Sequence, residues 1–316
     1  MKITHAVIPA AGRGLKPYPA WDTVEKLLHP LLDRDGLAKP VLQILGDEVL
    51  AAGVERIVLV VGPDEEQAYR AQLTELITTL ARSTRVPAQR QQAERLQQIF
   101  DRLVFVTQPE SDGFGRAVLR AADQVDGDHF LLALSDHLFL SNGSTSCAEQ
   151  IVNEARRLDA PVSSVEPLAE HLIHRYGVVG GRPLPGRADC WQVTAVVEKP
   201  TPTQGELHLA TPGLRRGNYL CFSGLHVLPT QVFDLLQRWW DEGAEDRGEL
   251  TPVLSQMVAE GGWHAMQLDG RHQDIGSKFG LLEAQLERSL QGPDREAVLT
   301  GLCEILARDG LMRSGR

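Results

Sequence analysis

No apolar run in this sequence approaches the roughly 20 residues needed to span a bilayer. The chain also starts on a strand-like segment, where a secretion signal would place a basic stretch followed by an apolar one. The four cysteines (Cys147, Cys190, Cys221, Cys303) are scattered and form no Cys-x-x-Cys pair, which excludes a zinc ribbon and a redox dithiol. They read as buried thiols of a reducing compartment, so cytoplasmic residence without a membrane partner is expected. Basic charge is in deficit: 42 Asp and Glu against 32 Lys and Arg leave a net charge of −10. Nucleic acid is therefore not an expected partner, because binding a phosphate backbone needs a basic face. The Gly-Lys-Ser/Thr of a nucleoside-triphosphatase loop is absent, as is a Gly-x-Ser-x-Gly nucleophile elbow. With 42% hydrophobic and 23% charged residues, the composition excludes disorder and collagen-like repeats.

What is present is an α/β pattern. Short apolar, β-branched runs at 6–9, 57–61, 103–107 and 130–134 have the form of buried strands. Helical stripes at 40–52 and 114–122 lie between them. Alternation of this kind predicts a Rossmann-like mixed, mostly parallel sheet flanked by helices. Residues 82–98, rich in Gln and Arg, read as a solvated loop-and-helix excursion. Beyond about residue 160 the strands shorten (176–179, 193–198, 219–227), and 183–187 and 201–216 read as turn-rich. Helical pattern returns at 229–240, at 250–259 and from 278 onward, broken by Pro293. One large domain over 1–287 with a helical C-terminal segment over 288–316 is the expected organisation.

The most informative stretch is Ile8-Pro9-Ala10-Ala11-Gly12-Arg13-Gly14, a strand that runs into a glycine-bearing turn and on to Lys16 and Lys26. Small residues there let backbone N–H groups approach an anion. The third glycine of a dinucleotide fingerprint is replaced by Pro17, so on its glycines alone the segment is equally a tight strand-to-loop turn. Later segments add chemistry in a definite order. Gln108 ends a strand before Gly113-Phe114-Gly115, and Ser135-Asp136 puts a carboxylate at a strand's C-terminal end, where open α/β sheets bind ligands. Arg175-Tyr176-Gly177, Glu198-Lys199-Pro200, Gly248-Glu249-Leu250-Thr251 and Asp274-Ile275-Gly276 follow.

In this order the set resembles the sugar-1-phosphate nucleotidyltransferases, and among them the bacterial-type UTP:glucose-1-phosphate uridylyltransferases, from about residue 4 to residue 287. The resemblance implies a nucleotide-diphospho-sugar transferase fold and an Mg²⁺-dependent enzyme that forms UDP-glucose and pyrophosphate from UTP and glucose 1-phosphate. Ala10, Ala11, Gly12 and Gly14 would wrap the triphosphate, and Gln108 and Gly113 would read the uracil edge. Asp136 and Asp274 match the metal aspartates, and Lys16, Lys26, Asp136 and Lys199 the catalytic set. Tyr176, Gly177, Glu198, Lys199 and Gly224 would take the sugar phosphate, with Glu249 in a shortened neighbouring motif. The family also implies a homo-oligomer. Gly14-Leu15-Lys16 stands where the signature has Gly-Thr-Arg or Gly-Ser-Arg, which costs a hydroxyl and a bidentate guanidinium. That departure supports an alternative, a weakly active or inactive paralogue that binds nucleotide sugar or modulates an active homologue.

Overall fold

The computed structural model describes residues 1–12, 25–83, 87–243 and 248–314, with side chains through 308 in the last helix. Four parallel strands form one half of a nine-stranded sheet: β1 (Ile3–Pro9), β4 (Arg56–Val61), β5 (Leu103–Thr107) and β6 (His129–Ala133), in the order β5-β4-β1-β6. Their side chains alternate between two cores, as the period of two dictates. Ala6, Ile8, Ile57, Leu59 and Leu131 enter one core, while Val7, Val58, Val60, Phe130 and Leu132 enter the other. Being covered on both faces is why these strands read as continuous apolar runs.

On the first face lie α1 (Val41–Ala51), α2 (Glu65–Ala81), α3 (Pro87–Phe100) and α5 (Cys147–Leu158). On the second lie α4 (Phe114–Arg120), α7 (Gln231–Asp241) and α8 (Thr251–Glu260). The Gln- and Arg-rich stretch read as a solvated excursion is mostly α3. It buries Gln92, Ala93, Leu96 and Ile99, a narrow stripe hidden among polar neighbours.

The other half of the sheet is largely antiparallel and continues the order through β11 (Asn218–Pro229), β8 (Val162–Ala169), β12 (His264–Gln267), β10 (Cys190–Glu198) and β9 (Gly177–Pro183). Among the described residues, β8 and β12 alone pair in parallel there. The sheet is thus mixed, with parallel pairing concentrated at its N-terminal end. The stretch 201–216, read as turns, contains α6 (Pro202–His208). It is started by a capping box between Thr201 and Gln204 with a proline at the first helical position.

Two small ribbons stand off the main sheet. One pairs β2 (Pro30–Leu32) with β3 (Ala38–Pro40), and the other pairs β7 (His137–Ser141) with β13 (Gly270–Asp274). The helix α9 (Gly280–Ser289) ties them together through Arg288. That guanidinium, buried, bonds Asp33 Oδ1 at 2.7 Å, Gln273 Oε1 at 2.9 Å and the Phe139 carbonyl at 2.8 Å. A division at 287/288 therefore falls inside α9, at a residue that locks the core. The last helix is α10 (Arg295–Ser314). No helix among the described residues is long and apolar enough to cross a membrane.

Candidate active site

The C-terminal ends of β1, β5, β6 and β10 bring the chemistry-bearing residues to one edge of the sheet, the position at which open α/β sheets bind ligands. After β1 the chain turns at once: the amides of Ala10 and Ala11 both donate to the Val60 carbonyl at 2.7 Å. Those two N–H groups are spent on the sheet, which corrects the expectation that they approach an anion. Gly12, at φ +97°, carries the turn toward Ser111. Gly14, Leu15 and Lys16 lie outside the described residues.

Gln108 continues the edge of β5, and its backbone amide donates to Val61 O at 2.8 Å. Its buried side-chain Nε2 donates to Asp112 Oδ1 at 2.5 Å and to Gly113 O at 3.1 Å. The donor end of this amide is therefore held by its own loop. Gly113 has φ +114°, and a Cβ there would lie 2.4 Å from the Gly248 carbonyl oxygen. Only a glycine permits this backbone crossing. The same carbonyl accepts from Gly115 N at 2.7 Å.

Asp136 follows β6 directly. Lys26 reaches it from a 3-10 turn (Lys26–Leu28) pinned by the buried Leu27. The ammonium donates to Ser135 Oγ at 2.9 Å and sits 3.6 Å from Asp136 Oδ2. Burial raises the Asp136 carboxyl, but the charges of Lys26 and His137 together with hydrogen bonds to the carboxylate outweigh it, leaving the group below the ordinary carboxylate value.

The β7/β13 ribbon delivers the second carboxylate. Asp274 pairs with His137 across the ribbon, and Ile275 N donates to Asp136 O at 2.9 Å. Asp274 Oδ2 faces Arg175 Nη2 at 3.3 Å and Tyr176 OH at 3.4 Å, while Oδ1 accepts from Gly276 N at 3.0 Å. A Cβ on Gly276 would lie 3.0 Å from Asp136 Oδ2 and 3.3 Å from Asp274 Oδ1. The two carboxylates border one cradle that the missing side chain leaves open. Among the described residues no group of three or more His, Cys, Asp and Glu side chains is placed to hold a metal ion. A pair of hard oxygen donors instead suits a cation that keeps waters and takes its other ligands from phosphate oxygens.

Behind this pair, His137 and His272 stack with centroids 4.6 Å apart and share a 2.5 Å Nδ1 to Nε2 hydrogen bond. Burial and the neighbouring His272 hold His137 below its ordinary range, so it is neutral at pH 7. Gly224, expected in a sugar pocket, makes room for the His137 ring: a Cβ there would lie 2.8 Å from it.

Across the cleft, Glu198 ends β10. Its Oε1 lies 3.1 Å from Lys199 Nζ, and its Oε2 accepts from Thr251 Oγ1 at 2.6 Å. Gly177 is empty space for that carboxylate, since a Cβ there would stand 3.0 Å from Oε2. Lys199 has φ +47°, a left-handed conformation a lysine adopts only where its surroundings impose it, and its amide donates to Tyr176 O at 2.9 Å. Burial lowers its ammonium, but Glu198 and Glu249 reverse the shift and hold it above the ordinary value. The fold thus brings Lys26, Asp136 and Asp274 together on one side, with Glu198 and Lys199 facing them and Tyr176 bonded to both sides through its hydroxyl and its carbonyl. Sequence reading quoted Ser135, Arg175 and Thr251 within its motifs without giving them a role, and it passed over His137. Ser135 and Arg175 stand next to residues it singled out, while His137 and Thr251 act through contacts that no spacing signals.

A family model described as nucleotidyl transferase matches residues 5–289. A UTP–glucose-1-phosphate uridylyltransferase of Staphylococcus haemolyticus (strain JCSC1435) is 27% identical over 296 residues, 92% of this chain and 94% of its own. The Bacillus subtilis (strain 168) UTP–glucose-1-phosphate uridylyltransferase YngB is 26% identical over 98% of this chain and 97% of its own. A solved UTP-bound UGPase from Acinetobacter baumannii superposes with a TM-score of 0.71 at 26% identity, covering 96% of this chain and 99% of that one. A UDP-glucose pyrophosphorylase complexed with UDP-glucose superposes at 0.72 with 23% identity, over 90% of this chain and 97% of that chain, a likeness of fold.

Proposed function

This chain belongs to the nucleotidyl transferase family, and from that premise we propose that it forms UDP-glucose and pyrophosphate from UTP and glucose 1-phosphate. The observation that carries the proposal is the cradle at Gly276, where Asp136 and Asp274 converge with Lys26 beside them and with Glu198 and Lys199 across the cleft. A phosphate oxygen of glucose 1-phosphate attacks the α-phosphorus of UTP, a new P–O bond forms, and the bond to pyrophosphate breaks. The protein's task is to bring two anions together and neutralise their charge, so oriented cations and carboxylates suffice and no nucleophilic side chain is required.

Asp136 and Asp274 would hold a divalent cation, Mg²⁺ by the preference of a hard oxygen pair that leaves room for water. When bound, it supplies charge neutralisation on phosphate oxygens. Lys26, anchored on Ser135, lies where it can keep a phosphate oxygen beside Asp136. Glu198 accepts from sugar hydroxyls, and Lys199 meets the sugar phosphate. Gln108, with its donor engaged by Asp112 and Gly113, offers its carbonyl to a ring N–H of the base. Ala10 and Ala11 shape the pocket by size, and their backbone amides are committed to Val60. The four cysteines are unpaired, which supports a reducing, cytoplasmic setting.

The test is a pyrophosphate-release assay over a matrix of nucleoside triphosphates and sugar 1-phosphates with Mg²⁺. The expected maximum is UTP with glucose 1-phosphate. Leu15 and Lys16, in place of Thr and Arg, favour the second reading of a weakly active or inactive binding paralogue. Ligand binding without pyrophosphate release in any combination would establish that reading instead.

A further inference from the structure

Glu198 is held from more than one side. Its Oε2 takes the 2.6 Å bond from Thr251, its Oε1 faces Lys199, and Gly177 clears the space around it. Thr251 is buried and opens α8, so a helix packed into the core carries the hydroxyl. The preceding residues run back through buried Leu250 and exposed Glu249 to Gly248, whose carbonyl is bonded by Gly115 N. A Cβ on Gly113, Gly115 or Gly248 would come within 2.4 to 2.6 Å of backbone on the opposing segment. Residues 248–251 are thus a strut, with one end clamped beside the Gln108 loop and the other on Glu198.

We propose that Thr251 is a positioning residue that orients the Glu198 carboxylate toward the hydroxyls of a hexose 1-phosphate, with the strut transmitting the geometry of the base loop to the sugar side. The inference rests on the reading of Glu198 as the sugar-hydroxyl acceptor. An ionised carboxylate has about four lone-pair directions and turns freely about its terminal bond. A fixed donor on Oε2 sets the carboxylate plane, and the directions left over point at fixed places. Valine copies the shape of threonine without the donor, whereas serine keeps the hydroxyl.

The experiment compares wild type, Thr251→Val and Thr251→Ser. Glucose 1-phosphate is titrated calorimetrically into protein saturated with Mg²⁺ and a non-hydrolysable UTP analogue, and steady-state KM and kcat are measured alongside. The valine variant should weaken glucose 1-phosphate binding on the order of tenfold to a hundredfold, the worth of a hydrogen bond to a charged group. Its KM for UTP should be unchanged, and the serine variant should retain wild-type affinity. Unchanged sugar-phosphate affinity in the valine variant overturns the proposal, and so does an equal loss for both substrates accompanied by a lower melting temperature. Wild type that fails to bind glucose 1-phosphate overturns it as well. Wild type that binds both ligands yet releases no pyrophosphate refutes the catalytic reading alone, and the affinity comparison then still decides the role of Thr251.

Discussion

Asp274 closes β13 directly opposite His137, the residue after Asp136, so a register of the β7/β13 ribbon sets two carboxylates from distant segments around Gly276. The ribbon is in turn held by Arg288 through Gln273 and the Phe139 carbonyl. The geometry of this carboxylate pair is therefore coupled to helix α9.

Removing either charged oxygen donor is expected to stop turnover. Asp136→Asn and Asp274→Asn should each lower the rate of pyrophosphate release by at least about 10²-fold, the typical cost of losing one electrostatic contact to the transition state. Circular dichroism should show an intact fold. Near wild-type rates in either variant would remove the cradle from the chemistry.

The amide of Gln108 owes its orientation to Asp112 and Gly113. Asp112→Ala should free it to rotate and lower the preference for UTP over CTP by roughly tenfold, the worth of one hydrogen bond. The apparent KM for glucose 1-phosphate should stay as it was. The ratio of kcat/KM for the two triphosphates is the measurement, and an unchanged ratio would place base selection elsewhere.

Gly113→Ala is expected to cost stability and nucleotide binding together. A methyl group would meet the Gly248 carbonyl at 2.4 Å from a backbone at φ +114°, a strain on the order of 1–3 kcal/mol before any clash is counted. Urea unfolding should show the loss, and Gly53→Ala, at φ +85° with nothing within 4 Å, should cost less.

Arg288→Met should destabilise the protein by about 1–3 kcal/mol, since it removes one of the two cations that hold the buried Asp33 and leaves the Gln273 and Phe139 acceptors without their donor. If α9 were a detachable appendage, the urea midpoint would scarcely move.

Acid stability should depend on Glu154. Its carboxyl is held down to about 2, chiefly by the hydrogen bond from Arg157, with Cys190 and Arg187 adding to it against the effect of burial. The folded value lies below the ordinary value of 4.5, so the contribution is fully present above pH 4.5 and is lost as pH falls toward about 2. In that window the unfolding free energy of wild type should drop by on the order of 2–3 kcal/mol more than that of Glu154→Gln. Parallel curves for the two proteins would contradict this.

Much of the architecture was legible because it is written locally. Runs such as 57–61 are apolar on both faces, and a strand buried on both sides leaves that mark in consecutive residues. The same holds for Asp136 and Glu198, which stand at the ends of such runs. Helix α3 was obscured because its four buried positions, one of them a glutamine, are outnumbered by the Gln and Arg residues around them. The short ribbon strands were missed because three to five residues carry too little periodicity to register.

By itself, the sequence determined the α/β class and the apolar strands with their chemistry-bearing ends. Only the tertiary structure decided what those residues face. It showed that the Ala10 and Ala11 amides belong to Val60, that the Gln108 donor belongs to Asp112, that Gly224 serves His137 and that Thr251 serves Glu198. The physical reason is that a hydrogen bond or a close approach is set by where two distant backbones cross. That crossing depends on strand register and helix packing summed over the whole domain, and no spacing within one segment records it.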